Sequence, residues 1–360
     1  MNATGGSQGH FWPNPAQRAA LLAALADDGS APRHFMQWLE LSDPDAPMDE
    51  GTERIVPLML HNLARHGCDH PRLHALKSLR RQSWAKSEML ILLAEEVLVK
   101  LRRAGIPTLV SKGLPLALEY YPEPALRPMN DIDVIVPYDA AVAASRLLQD
   151  EGFRPVTGDV ESMRPIRHAL MMIHPRRGEI DLHWHVLGEC HSRGADEHFW
   201  AAALPFAVGG AQTSRPGASD LLLHAMAHGL DWNPVPPMRW IADAAMILRA
   251  GEEIDWRRIE GFGARHDLAR RLSLATGYLR RHFGLDIPAE ALSRESGRVS
   301  LLERLELSAM SGENLPALRT MLRRAAALWR LLRSEEAAEL PAGLVREWRR
   351  RRRGGDGLGP

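Results

Sequence analysis

With 360 residues, 45 basic and 45 acidic side chains and an apolar fraction of 45%, the sequence describes a soluble globular chain of one or two domains without formal net charge. That balance demands neither a nucleic acid nor a membrane, and no run approaches the ~20 apolar residues that span a bilayer. Cys68 and Cys190 stand far apart in unrelated contexts, so neither a disulfide framework nor a cysteine-based zinc site is indicated, and a reducing cytoplasm fits.

The first residues, MNATGGSQGHFWPNP, carry neither a basic start nor an apolar core and read as a flexible tail over 1–14, with no export signal. Helical spacing then runs from Pro15 to Leu41, interrupted near Gly29, which predicts two short helices. Further helices are predicted from Thr52 to His66 and from Pro71 to Ala104, where Gly105 is a plausible stop. Along the longer one, Leu76, Leu79, Trp84, Met89, Leu93, Val97 and Leu101 read as a core stripe. A helical region over 15–105 is the expectation.

Next come a strand from Ile106 to Val110, a short helix from Pro115 to Tyr121, a strand from Asp131 to Val136, and a helix from Ala140 to Glu151 that Asp139 can cap. Two apolar runs, Ala169 to His174 and Glu179 to Val186, flank Pro175-Arg176-Arg177-Gly178 and read as a hairpin. These make a small mixed sheet, and the fold class is α+β, with a core over 106–210. Gly209-Gly210 and Pro216-Gly217 break the pattern, and the chain is helical again over 211–348. The run Arg349 to Arg353 heads a basic tail over 349–360 whose ordinary meaning is a disordered end, with contact to a polyanion as the sharper reading.

The stretch Leu109 to Pro137, LVSKGLPLALEYYPEPALRPMNDIDVIVP, holds the chemistry. It sets Asp131 and Asp133 into a strand otherwise made of Ile132, Val134, Ile135 and Val136, and alternation along a strand puts the two carboxylates on one face. Like charges about 5 Å apart repel by roughly 3 kcal/mol at an effective dielectric near 20, so both stay ionised only around a shared cation, and hard oxygen ligands point to Mg²⁺. The plain alternative is turn chemistry, since Asn130-Asp131 follows Pro128. A third carboxylate, Asp181, lies in the strand-like run EIDLHWHV.

Together, Lys112-Gly113, the series from Arg127 to Asp131-Ile132-Asp133, and Ile180-Asp181-Leu182-His183-Trp184 resemble the polymerase-β-like nucleotidyltransferase superfamily, and more closely an uncharacterised bacterial branch of it. The resemblance implies a Mg²⁺-dependent enzyme, with Mn²⁺ as an alternative ion, that moves a nucleoside monophosphate from an NTP to an acceptor hydroxyl. It implies that Asp131, Asp133 and Asp181 hold the metals. Ser111, Lys112 and Gly113 stand where the superfamily has its triphosphate loop, although Lys112 departs from the commoner Gly-Gly/Ser form, and an ordinary strand-to-helix turn is the alternative. Arg127 is a further phosphate contact or a surface residue. His183 orients the carboxylates, with His185 beside it. The pattern of His224 and His228 followed by Arg239, Trp240 and Asp243 implies helices that contact substrate or nucleotide through His228, Arg239 and Asp243, or else hydrogen-bond one another.

Charge balance favours a small molecule, peptide or protein as acceptor over nucleic acid. Two other classes stay open. One is a non-catalytic nucleotide-binding or antitoxin-like regulatory module. The other is a hydrolase with a transition metal on His183 and His185, to which His224 and His228 would add ligands, although Ala225 stands where an H-E-x-x-H site needs glutamate.

Overall fold

The computed structural model describes residues 12–165, 167–190, 194–230, 238–289, 291, 303–305 and 307. Residues 1–11 of the expected tail, most of the last expected helices and the basic tail lie outside the described residues. In chain order the helices are α1 (Pro15–Leu25), α2 (Ala31–Leu41), α3 (Glu50–Glu53), α4 (Val56–Arg65), α5 (Pro71–Arg103), α6 (Gly113–Pro115), α7 (Ala141–Asp150), α8 (Val160–Met163), α9 (Glu197–Ala201), α10 (Ala218–Gly229), α11 (Arg239–Arg249), α12 (Trp256–Arg265) and α13 (Ala269–Phe283). The strands are β1 (Leu109–Val110), β2 (Ile132–Ile135), β3 (Arg154–Pro155), β4 (Ala169–His174), β5 (Gly178–His183), β6 (Leu204–Val208) and β7 (Ala211–Arg215).

These elements form two compact units that interleave along the chain. Among the described residues, one contains Trp12–Leu90, Lys112–Asn130 and those from Gly217 onward, and the other contains Ile91–Ser111 and Asp131–Pro216. The first unit is helical. At its start Asn14 and Gln17 form a reciprocal cap: the Asn14 side chain accepts from the Gln17 amide at 2.9 Å and the Gln17 side chain accepts from the Asn14 amide at 3.0 Å. α1 packs on α2 and α4 through Leu21, Phe35, Met59 and Leu63, each fully buried. α10 packs on α11 at Gly229, where a Cβ would collide with the Trp240 ring.

The second unit holds one seven-stranded mixed sheet, ordered β3-β4-β5-β2-β1-β7-β6. β2 lies near its middle, parallel to β5 and antiparallel to β1, and all four of its residues are buried. The apolar run around Asp133 is thus the run of a strand covered on both faces. Strands β3, β6 and β7 are additions to the expected set. Gly209-Gly210 does not end the sheet but turns the β6–β7 hairpin, so the sheet continues to Arg215. Gly209 has φ +56°, and a Cβ there would strike the Glu95 carboxylate, which also accepts from the Gly210 amide at 2.7 Å.

Two local expectations are corrected. Trp84 and Met89 do not join the stripe of α5, each being 58% exposed. The buried line there passes through Leu73, Ser83, Ser87 and Leu90, because Ser83 is small and hydroxylated enough to reach the Ala125 carbonyl at 2.7 Å. Asp139 does not cap α7, since a 3₁₀ turn over Tyr138–Ala140 intervenes and leaves Ala140 as a cap residue without a capping side chain.

The close approach at Gly229 makes a stability prediction. Gly229→Ala should lower unfolding free energy by about 1–3 kcal/mol, the usual range for overpacking a tight contact, read as a shift of the urea midpoint at unchanged slope.

Candidate active site

Parallel pairing of β2 with β5 aligns Asp133 with Asp181 and Ile135 with His183. Paired residues on adjacent parallel strands point to the same face, and alternation puts His183 on that face too, one step further along β5. The side chains converge accordingly. Donor atoms of Asp133, Asp181 and His183 all lie within 4.8 Å of one another. His183 Nε2 is 2.9 Å from Asp181 Oδ2 and 3.1 Å from Asp133 Oδ1. Asp133 is 6% and His183 1% exposed, whereas the Asp181 side chain keeps 21% of its surface. Access to the group is therefore from the Asp181 side.

Asp131 lies in the bend before β2 and is half-exposed. Pro128 and Asn130 delay the strand by a residue, so Asp131 falls outside the convergent group of three. Ser111 follows β1, whose Val110 pairs with Val134 next to Asp133. Its hydroxyl is buried and has no hydrogen-bond partner among the described residues.

The segment after β5 is held firmly. His168 O accepts from the Trp184 and His185 amides at 2.9 and 3.2 Å, and Trp184 Nε1 donates to Arg167 O at 2.6 Å. His185 is not one of the convergent donors. Its Nδ1 donates to Asp196 Oδ2 at 2.5 Å, while Asp196 Oδ1 accepts from the Val186 amide at 2.8 Å and the Tyr138 ring stands 5.4 Å away. Of the two histidines that the hydrolase alternative would place on a metal, His183 joins the two carboxylates and His185 anchors the loop. Asp196 carries no signal in the sequence, because nothing about its position in a loop marks a carboxylate that returns to His185.

The expected triphosphate loop and the helical contacts are built as follows in the first unit. Lys112 has φ +54°, a conformation costly for a residue with a side chain, at the entry to α6. A Cβ on Gly113 would lie 3.0 Å from Met129 Sδ and 3.4 Å from Arg127 Nη1, so that position suits glycine. Arg127, 4% exposed, is not a surface residue: Nε and Nη2 donate to the two Asp243 oxygens, each at 2.8 Å. Tyr121 also donates to Asp243, at 2.8 Å, and burial, followed by the Asp243 charge, pushes its phenol well above the usual range, so it stays a donor. Arg239 Nη1 donates to Pro128 O at 2.6 Å. His224 and His228 stack at 5.8 Å on α10, with His224 buried and His228 exposed.

A buried, forked ion pair of this kind is a structural keystone first. Arg127→Ala leaves the Asp243 carboxylate buried without its fork and should cost about 3–5 kcal/mol in urea unfolding. A protein of wild-type stability that has lost only nucleotide affinity would identify Arg127 as a phosphate contact instead.

No curated protein matches the sequence. Among solved structures, one described as the antibiotic-resistance factor ANT(2'')-Ia, with substrate-regulated conformation dynamics, is similar at 11% identity and a TM-score of 0.35. The match covers 54% of this chain and 96% of that one, and a likeness this slight carries no argument. A family described as uncharacterised nucleotidyltransferases matches residues 51–284, which span β2, β5 and their three convergent side chains. The chain belongs to this family of uncharacterised nucleotidyltransferases.

Proposed function

We propose that the protein transfers a nucleoside monophosphate from an NTP to an acceptor hydroxyl, using divalent cations, Mg²⁺ in the first instance, held at Asp133 and Asp181 with Asp131 contributing from the bend. The observation that carries this reading is the register of β2 and β5, which sets two carboxylates abreast on one face of a buried sheet. The donor chemistry fits: two carboxylates, a histidine nitrogen and the orphaned Ser111 hydroxyl are all groups that a hard or borderline cation and its phosphate ligands can use. When bound, such ions neutralise the triphosphate, lower the acceptor hydroxyl's pKa and stabilise departing pyrophosphate.

The chain's own residues supply position. His183 holds both carboxylates at one separation. Ser111, Lys112 and Gly113 take the phosphates, Lys112 by its charge and Gly113 by its backbone amide at the start of a helical turn. The strained backbone at Lys112 supports a ligand-binding role for that junction, since strain of this kind collects at functional turns. His228, Arg239 and Asp243 serve the substrate indirectly, Asp243 by fixing Arg127 and Tyr121. Zero net charge favours a small-molecule, peptide or protein acceptor over nucleic acid. The position of His185 outside the convergent donor group argues against the histidine-centred hydrolase. Nucleotide binding with Mg²⁺ but no product from any NTP and cell extract would instead support the regulatory module.

Asp133→Asn and Asp181→Asn should each reduce transfer of label from ATP by about 1000-fold, because asparagine keeps the shape and removes the charge that offsets the cation. Calorimetry separates them: Asp181→Asn keeps most nucleotide affinity, whereas Asp133→Asn loses it. Unchanged nucleotide binding in Lys112→Ala, or no nucleotide binding with either Mg²⁺ or Mn²⁺, would refute the phosphate-loop assignment.

A further inference from the structure

We infer that His183 is a direct metal ligand through Nε2, so that the site takes a divalent cation tolerant of nitrogen, Mn²⁺ in preference to Mg²⁺. This inference rests on the proposed function, in which Asp133 and Asp181 hold a cation. It begins at the other side of the ring. His183 Nδ1 lies 3.2 Å from the His185 carbonyl oxygen, which can only accept, so Nδ1 carries a proton and donates. This turns Nε2 towards the carboxylates, 2.9 Å from Asp181 Oδ2 and 3.1 Å from Asp133 Oδ1. The ligand atoms of Asp133, Asp181 and His183 lie within 4.8 Å of one another, close enough for one cation to take all three.

The surroundings keep the ring in this orientation. His183 is 1% exposed, and the carbonyl that fixes it belongs to His185, itself locked by Asp196. A ring N–H given to a backbone carbonyl is the arrangement by which metal-bound histidines are oriented and made better donors. Two oxygens and an imidazole nitrogen also shift preference from Mg²⁺, which favours all-oxygen coordination, towards transition ions that accept nitrogen. Asp196 is a positioning residue in this scheme, acting on the metal through His185 and His183.

Pulsed EPR of the full chain with Mn²⁺ and α,β-methylene-ATP reads the bond directly. A directly bound imidazole gives ¹⁴N modulation of the Mn²⁺ echo, and growth on ¹⁵N-histidine should replace that pattern, which separates histidine from the adenine nitrogens. His183→Gln should abolish the modulation while Mg²⁺-supported nucleotide binding falls less than Mn²⁺-supported binding. Asp196→Asn should weaken Mn²⁺ affinity up to about 10-fold, the low end of the range for removing the direct partner of a metal-bound histidine, because Asp196 acts one step further away through His185. Mn²⁺ and nucleotide binding together without histidine modulation in the wild-type protein would overturn the inference and leave the nucleotidyltransferase reading standing. A protein that binds no Mn²⁺, with or without the nucleotide analogue, overturns both.

Discussion

The register between β2 and β5 is the constraint on which the site depends. One hydrogen-bonded ladder decides that Asp133 faces Asp181 and that His183 lies on the same side, and a slip of one residue would send Asp181 and His183 to the opposite face. Buried neighbours enforce the choice: Ile132, Val134, Ile180 and Leu182 are almost fully covered, so the ladder cannot shift without exposing apolar surface or burying charge elsewhere. The charge problem is thus created by the same apolar packing that makes the sheet. The residues that fix the ladder are apolar, and His183 lies against both of the carboxylates that they set side by side.

Much of this arrangement is readable in the sequence because it is local. Strand periodicity places the acidic residues, the hairpin around Pro175 brings β4 against β5, and the long helix and its stop at Gly105 follow from spacing and a glycine. The parallel pairing of β2 with β5 is not local, since the two strands are far apart in sequence. Only the shared metal role that the family resemblance implies for Asp133 and Asp181 hints that the two strands meet. The extent of the sheet was misjudged because β3 is two residues long and Gly209-Gly210 looks like an ending when it is a hairpin turn. The stripe along α5 shows a different failure: helical spacing identifies apolar positions, but Ser83, which hydrogen-bonds to the Ala125 carbonyl, packs more closely than Trp84 could.

The side-chain partners were least legible. Arg239 and Asp243 are one turn apart and invite pairing, yet both oxygens of Asp243 go to Arg127, over a hundred residues earlier in the chain. A planar guanidinium meeting a carboxylate edge to edge gains two charge-assisted bonds, which a single helical turn does not provide. His185 and Asp196 teach the same lesson. Periodicity gives the face a residue occupies, whereas the identity of its partner depends on loops whose course no pattern describes.

The interleaving of the two compact units has a consequence for how the chain is made. Residues up to Leu90 leave the ribosome first, but their unit is completed by chain that begins at Gly217, and the other unit's sheet is synthesised in between. At roughly 5–20 residues per second the early helices wait for many seconds with apolar faces uncovered. Such a nascent chain is a natural client for chaperones, and cutting the gene at any point between Leu90 and Gly217 puts the first unit's early and late helices on different fragments.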